Sequence, residues 1–141
     1  MAVTRLGAGT VTFTFADPGT PEDFSCEVSS MAIGHAYVEQ DRTAVLCDDT
    51  PPPVDRVRDN DTVTLGLIND LTATGLYHQL VAHDLEDATV TLTPNTVAGA
   101  SWTGTVIVTL PEEIGAGAWG DEIASEVELL CRGILTPTPA A

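Results

Sequence analysis

Alternation with a period of two constrains this chain more than any other feature. From Trp102 to Gly133 the sequence reads WTGTVIVTLPEEIGAGAWGDEIASEVELLCRG, a strand, a wide glycine-rich loop and a second strand. In the first strand Trp102, Val106, Val108 and Leu110 fall on one side, with Thr103, Thr105, Ile107 and Thr109 on the other. In the second, Ile123, Val127, Leu129 and Cys131 alternate with Ala124, Glu126, Glu128 and Arg132. Successive strand side chains point to opposite faces, so each segment has an apolar side and a side that tolerates water. Such strands form sheets that need neighbours, and nothing in this stretch has the make-up of a reaction site.

The same pattern recurs upstream. In TVTFTFA (10–16) Val11, Phe13 and Phe15 oppose Thr10, Thr12 and Thr14, and Asp17-Pro18-Gly19 makes a turn. Phe24, Cys26 and Val28 alternate with Asp23, Ser25, Glu27 and Ser29, which predicts a second strand there. Residues 31–38 continue in extended form, with Gly34 as a bulge or close approach. Residues 43–47 are a short strand at most, and TVTLGLI (62–68) turns Val63, Leu65 and Leu67 inward. A helix is predicted within LTATGLYHQLVAHDL, with Thr72 as N-cap and Leu71 stapled to Leu76. Its buried stripe is Leu76, Tyr77, Leu80 and Val81, while His78, Gln79 and His83 face out. ATVTLT (88–93) is a strand, Pro94-Asn95 a turn, and 134–141 an extended C-terminal tail. The expected fold is a single domain over 1–141, mainly β: an antiparallel β-sandwich or barrel with one short flanking α-helix.

Charge excludes several function classes. Against 21 acids stand five bases, all arginine (Arg5, Arg42, Arg56, Arg58 and Arg132), for a net charge of −16. With no basic stripe to release counterions, direct binding to nucleic acid or to an anionic membrane is not expected. Solubility, or adaptation to high salt, accounts for most of the acids. The apolar fraction of 43% with only 5% aromatics predicts a core of Val, Leu, Ile and Ala. No run approaches the ~20 apolar residues of a membrane span, and MAVTRLGAGT lacks the apolar centre of a secretory leader. Cys26, Cys47 and Cys131 are widely spaced, so neither a zinc site nor a disulfide framework is expected. Each is read as a small buried hydrophobe in a reducing compartment.

From Asp48 to Asp61 the chain runs DDTPPPVDRVRDND. Three consecutive prolines do not fit a sheet interior, and the charges around them do not fit a core. A long exposed loop is predicted at 48–61; such loops are uncommon in compact domains unless they bind something, and the other reading is a disordered excursion. The spacing of a calcium loop is absent from its aspartates.

Catalytic patterns are missing too. His78 and His83 are five apart, on different helix faces, and His35 is remote in sequence. There is no nucleophile elbow, P-loop or dinucleotide fingerprint. Glu112-Glu113 and Asp121-Glu122 are loop neighbours, without the aromatic platforms of a glycosidase site. No catalytic residue, metal or cofactor is assigned, and the chain is not expected to be an enzyme. A small ligand-binding β-sandwich, with Trp102 and Trp119 stacking on a sugar, is the rival reading. Against it, Trp102 is expected in the core and Trp119 packed under the glycine-rich loop.

The order of elements carries a resemblance. A strand is followed by a short helix (GLYHQLVAHDL), a strand ending in Thr-Pro (ATVTLTPNT) and a W-x-G-x-V-x-V strand (Trp102, Gly104, Val106, Val108). A wide loop and a strand finishing at Arg132-Gly133 complete it. From Thr62 to Pro139 this resembles the major tail tube proteins of long-tailed, non-contractile phages and related archaeal viruses. The resemblance implies a virion structural protein whose hexameric rings stack into a tail tube around an acidic-lined channel for DNA. Its partners would be itself, other tail proteins at the tube ends and DNA in transient, non-specific passage, with assembly in the host cytoplasm. Glu126, Glu128 and Arg132 are the expected lumen-lining residues. Asp48, Asp49, Pro51, Pro52, Pro53, Asp55, Arg56, Arg58, Asp59 and Asp61 would form the inter-ring loop, with the arginines pairing to acids of the next ring. Gly115, Gly117, Trp119 and Gly120 would form the inter-subunit loop. A head decoration or tail-completion subunit is the alternative within the virion.

Overall fold

The structure, a computed structural model, describes residues 7–17, 19–41, 46–47, 54–97, 99–115 and 118–139. In chain order the elements are β1 (Thr10–Phe15), β2 (Pro21–Asp23), β3 (Val28–Gly34), β4 (Tyr37–Asp41), β5 (Val54–Arg58) and β6 (Thr62–Ile68). Helix α1 (Leu76–Ala82) follows, then β7 (Asp87–Thr93), β8 (Ser101–Ile107), β9 (Ala124–Leu130) and β10 (Thr136–Thr138). A five-stranded sheet has the order β10-β8-β7-β1-β2, a three-stranded sheet the order β3-β6-β9, and β4 pairs with β5 in a separate ribbon. Every pairing is antiparallel. The fold is mainly β and sandwich-like, and its sheets do not close into a barrel.

The core follows directly from the alternation. Val11, Phe13 and Phe15 from β1 meet Ala88, Val90 and Leu92 from β7 and Val106 from β8. The three-stranded sheet contributes Val63, Leu65 and Leu67 from β6 and Val127 and Leu129 from β9, all at most 2% exposed. Burying each such side chain contributes about 1.5–3 kcal/mol. Phe13, Phe15 and Phe24 pack ring against ring at 5.8–6.4 Å between centroids. On the opposite face of the large sheet, register lines up Thr14, Thr89 and Thr105 in one row and Thr12, Thr91 and Thr103 in another. That face is a hydroxyl surface, the wet side the alternation demands.

Several expectations are corrected. Residues 24–28 are not a regular strand: Phe24 is buried, but Ser25–Glu27 is a 3-10 turn and Cys26 is exposed. Asp23 bends the chain there by accepting hydrogen bonds from the backbone N–H and the hydroxyl of Ser25. Gly34 is a close approach, as one of its two readings has it, since a Cβ there would come within 2.6 Å of Thr62 Oγ1, while the bulge lies between Val28 and Ser30. Leu110 and Ile123 lie beyond the ends of β8 and β9 and are 39% exposed each. Of the cysteines, Cys131 is buried as expected, whereas Cys26 and Cys47 are exposed.

The helix also starts differently. Its N-cap is Gly75, because a Cβ there would come within 2.1 Å of the Asp70 carbonyl oxygen. Thr72 instead donates its N–H to the Asp70 side chain in a local turn. The helical N–H of Leu76 is satisfied from afar, by both carboxylate oxygens of Glu27 at 3.0 and 3.3 Å. Leu76 and Leu80 are buried, but Leu71 and Val81 are exposed. His83 does not simply face out, since its ring stacks on Phe15 at 4.5 Å while its Nδ1 lies 2.8 Å from Glu86.

Candidate functional site

Three surfaces hold the residues singled out in the sequence. The first is an open groove of about 590 Å³ beside β9, the edge strand of its sheet. Glu126 and Glu128 stand on the solvent side of β9, because Val127 and Leu129 take the core side. Glu112 and Glu113, carried by the loop after β8, line the same groove, as do Leu110 and Leu130. The Thr109 hydroxyl donates to the Glu128 carbonyl at 2.9 Å and ties that loop to the strand. Glu126 and Glu128 therefore belong to one acidic surface, and neither lies in the core. Arg132 does not join them. At Cys131 the chain crosses to the large sheet, bridging to Val106, and the Arg132 side chain pairs with Asp87 at 2.6 Å.

The second surface is the β4–β5 ribbon. The long exposed loop predicted at 48–61 is corrected over its described part, because Val54–Arg58 is a strand paired with Tyr37–Asp41. Charged residues on a two-stranded ribbon keep water on both faces, so strand pairing and high charge coexist there. Asp48, Asp49, Pro51, Pro52 and Pro53 lie outside the described residues, and Asp55 is placed here only as a backbone position of β5. Arg56 and Arg58 flank the ring of Tyr37, with guanidinium carbons 4.8 and 5.9 Å from its centroid. Asp59 is exposed and accepts the N–H of Asn60.

Asp61 is the exception in this group: it is fully buried. Its Oδ1 lies 2.8 Å from the Arg58 guanidinium and 3.0 Å from His35 Nδ1, while Oδ2 accepts the N–H of Leu135 at 2.9 Å. Burial by itself would raise this carboxyl. The hydrogen bonds from His35, Leu135 and Arg58, with the arginine's charge, outweigh that and hold it below the ordinary carboxylate value. The backbone of Asp61 also bonds to Gly133 and Cys131. Asp61 is thus the clasp at the base of the ribbon rather than an exposed contact. An isolated Asp at the end of a charged run gives no sequence sign of burial; the neighbouring strand pattern, which starts one residue later, is the nearest hint.

The third surface is the glycine-rich loop. Gly115 and Gly120 adopt the left-handed backbone, and Ala118 and Asp121 exchange hydrogen bonds around the turn between them. Trp119 is not packed beneath this loop but stands fully exposed at 104%. Gly117 lies outside the described residues. Trp102 packs partly buried against the core, as expected. Among the described residues no group of three or more His, Cys, Asp or Glu side chains is placed to hold a metal ion, and no helix is long and apolar enough to cross a membrane.

Fold and surfaces together define a sandwich-like antiparallel β domain with a separate two-stranded ribbon and an acidic groove beside an edge strand. No family model matches the sequence, and no curated protein is similar to it. Among solved structures the fold is similar to a chain of the anti-feeding prophage (AFP) baseplate, determined by cryo-EM with 6-fold symmetrisation. The TM-score is 0.56 at 14% identity, with 99% of this chain and 98% of that chain covered. The likeness is one of fold.

Proposed function

We propose that this chain is a structural subunit of a phage-tail-like particle, assembling with itself into rings that stack as a tube around a channel for DNA. The single observation that carries the reading is the end-to-end similarity of fold to a chain of a six-fold symmetrised prophage baseplate. The match runs over nearly the whole of both chains. The exposed surfaces point the same way. Among the described residues β2 and β10 end one main sheet and β3 and β9 the other, β4 and β5 pair only with each other, and an exposed tryptophan sits in the glycine-rich loop.

In this reading the role is mechanical rather than catalytic, and the partners are further copies and the proteins at the tube ends. The particle is its location, with assembly in the host cytoplasm. Hexameric rings agree with the symmetry of the baseplate neighbour. Glu126 and Glu128 are proposed for the channel wall, where carboxylates keep a passing polyanion from adhering. The baseplate neighbour favours one second reading, a ring found only at the end of a tail rather than a tube repeat.

Negative-stain microscopy of the purified protein over a salt series separates these outcomes. Screening of the −16 charge should turn monomers into stacked rings as salt rises. Single rings that never stack favour the end-of-tail reading. Protein that stays monomeric throughout overturns both.

A further inference from the structure

We infer that His35 is a proton-operated switch at the base of the β4–β5 ribbon, passing its hydrogen bond from Arg58 to Asp61 when the ring takes up charge. The inference stands on side-chain geometry and goes beyond the assembly reading. Three atoms meet at this point. His35 Nδ1 lies 3.0 Å from Arg58 Nη2 and 3.0 Å from Asp61 Oδ1, and the guanidinium lies 2.8 Å from the same oxygen. The three sides of that triangle cannot all be hydrogen bonds at once. A bare Nδ1 accepts from Arg58 and turns its lone pair on the carboxylate. A protonated Nδ1 donates to Asp61 and turns its hydrogen-bearing nitrogen on the guanidinium. The ring is half exposed, so water delivers the proton.

The surrounding groups leave the histidine as the member that changes. Asp61 keeps its charge, because its partners hold it below the ordinary carboxylate value. At the end of β9, Cys131 stays a neutral thiol, pushed up to about 11 by burial and by Asp61. From β4 comes Tyr37, whose ring carries Arg56 and Arg58 against it. Asp59 is exposed and accepts the N–H of Asn60. Charging His35 therefore sets a second cation 3.0 Å from Arg58, with one carboxylate between them, and removes an acceptor from the guanidinium. Arg58 ends β5, and His35 lies on the link from β3 to β4. Among the described residues, the side-chain hydrogen bond that ties a ribbon strand to the sandwich is that of Arg58 to Asp61. A two-stranded ribbon is marginal on its own, so weakening this anchor loosens the ribbon as pH falls.

Nuclear magnetic resonance of 15N-labelled protein in low salt tests this at pH 8 and pH 5, the limits between which histidine ordinarily changes charge. Nδ1 of His35 should read as a bare nitrogen at pH 8 and as a protonated one at pH 5. Over the same step the exchange protection of the amides of 37–39 and 56–58 should fall roughly three-fold or more relative to β6, the effect of about one lost hydrogen bond. In His35→Asn, whose side chain does not titrate, the relative protection should match at the two pH values, which separates His35 from His78 and His83. An Nδ1 that carries its proton at pH 8, a wild-type ribbon with no step, or a step that survives in His35→Asn overturns the switch. Each of these outcomes leaves the assembly reading standing, since microscopy decides that one.

Discussion

The carboxylate of Asp61 accepts the backbone N–H of Leu135 at 2.9 Å, across 74 residues of sequence. That bond closes the end of the sandwich. It joins the start of β6 to the chain that leads into β10, and through Arg58 and His35 it also fixes the base of the ribbon.

Replacing Asp61 should therefore be costly. Asp61→Asn leaves the Arg58 guanidinium without its counter-charge and replaces one acceptor oxygen with a donor. We expect a loss of about 2–4 kcal/mol in urea unfolding, with little change in the slope of the transition. A loss below ~0.5 kcal/mol would remove Asp61 from its role as clasp.

The same group sets an acid limit. Its carboxyl is held below the ordinary value of 3.8 in the folded chain, so the unfolded state takes up the proton first as pH falls. The stabilisation is whole above about pH 4–5 and is lost as pH drops through the folded-state value. Asp23 and Asp70 are lowered as well, so Asp61→Asn should flatten the acid limb of stability against pH without abolishing it. Urea midpoints at a series of pH values between 6 and 3 measure this.

Leu135 lies over Gly104, where a Cβ would come within 2.6 Å of its side-chain terminus. Gly104→Ala should destabilise by about 1–3 kcal/mol through overpacking. Leu135→Ala should then cost less in the Gly104→Ala background than in wild type, a coupling that a double-mutant cycle of unfolding free energies reads directly.

The three thiols should divide by reactivity. Cys131 is buried, and burial followed by the nearby charge of Asp61 pushes its thiol up to about 11. Cys26 and Cys47 are exposed. A colorimetric thiol reagent at neutral pH should label two groups quickly and the third only with unfolding. Rapid labelling of all three in the folded protein would contradict the packing around β9.

Trp119→Ala should leave stability within about 0.5 kcal/mol of wild type, because the ring is fully exposed. If the loop is an interface, the same change should lower the assembled fraction in sedimentation. Equal assembly would remove Trp119 from the contact.

The sequence made the core legible wherever alternation ran unbroken. Val11, Phe13 and Phe15, Val63, Leu65 and Leu67, and Val127, Leu129 and Cys131 all turn inward as read, because a half-buried strand has no other way to dispose of a period of two. It misled where local polar chemistry overrode the period. Ser25 and Asp23 turned an alternating run into a 3-10 turn, and Glu27, 49 residues before Leu76, capped a helix that local residues were expected to cap. Prolines and charges hid the ribbon, since a solvated two-stranded ladder needs no apolar face. Partnering across such separations leaves no local signature, which is also why Asp61 read as a loop residue. The acidic groove was half visible: Glu126 and Glu128 declared their face, but nothing in the pattern tied Glu112 and Glu113 to it.

End-on views by cryo-EM of the assembled protein should show closed rings of six copies around an open channel, with β9 glutamates on the channel wall and rings stacked in register. A particle limited to one or two copies, or an assembly with no central channel, would contradict it.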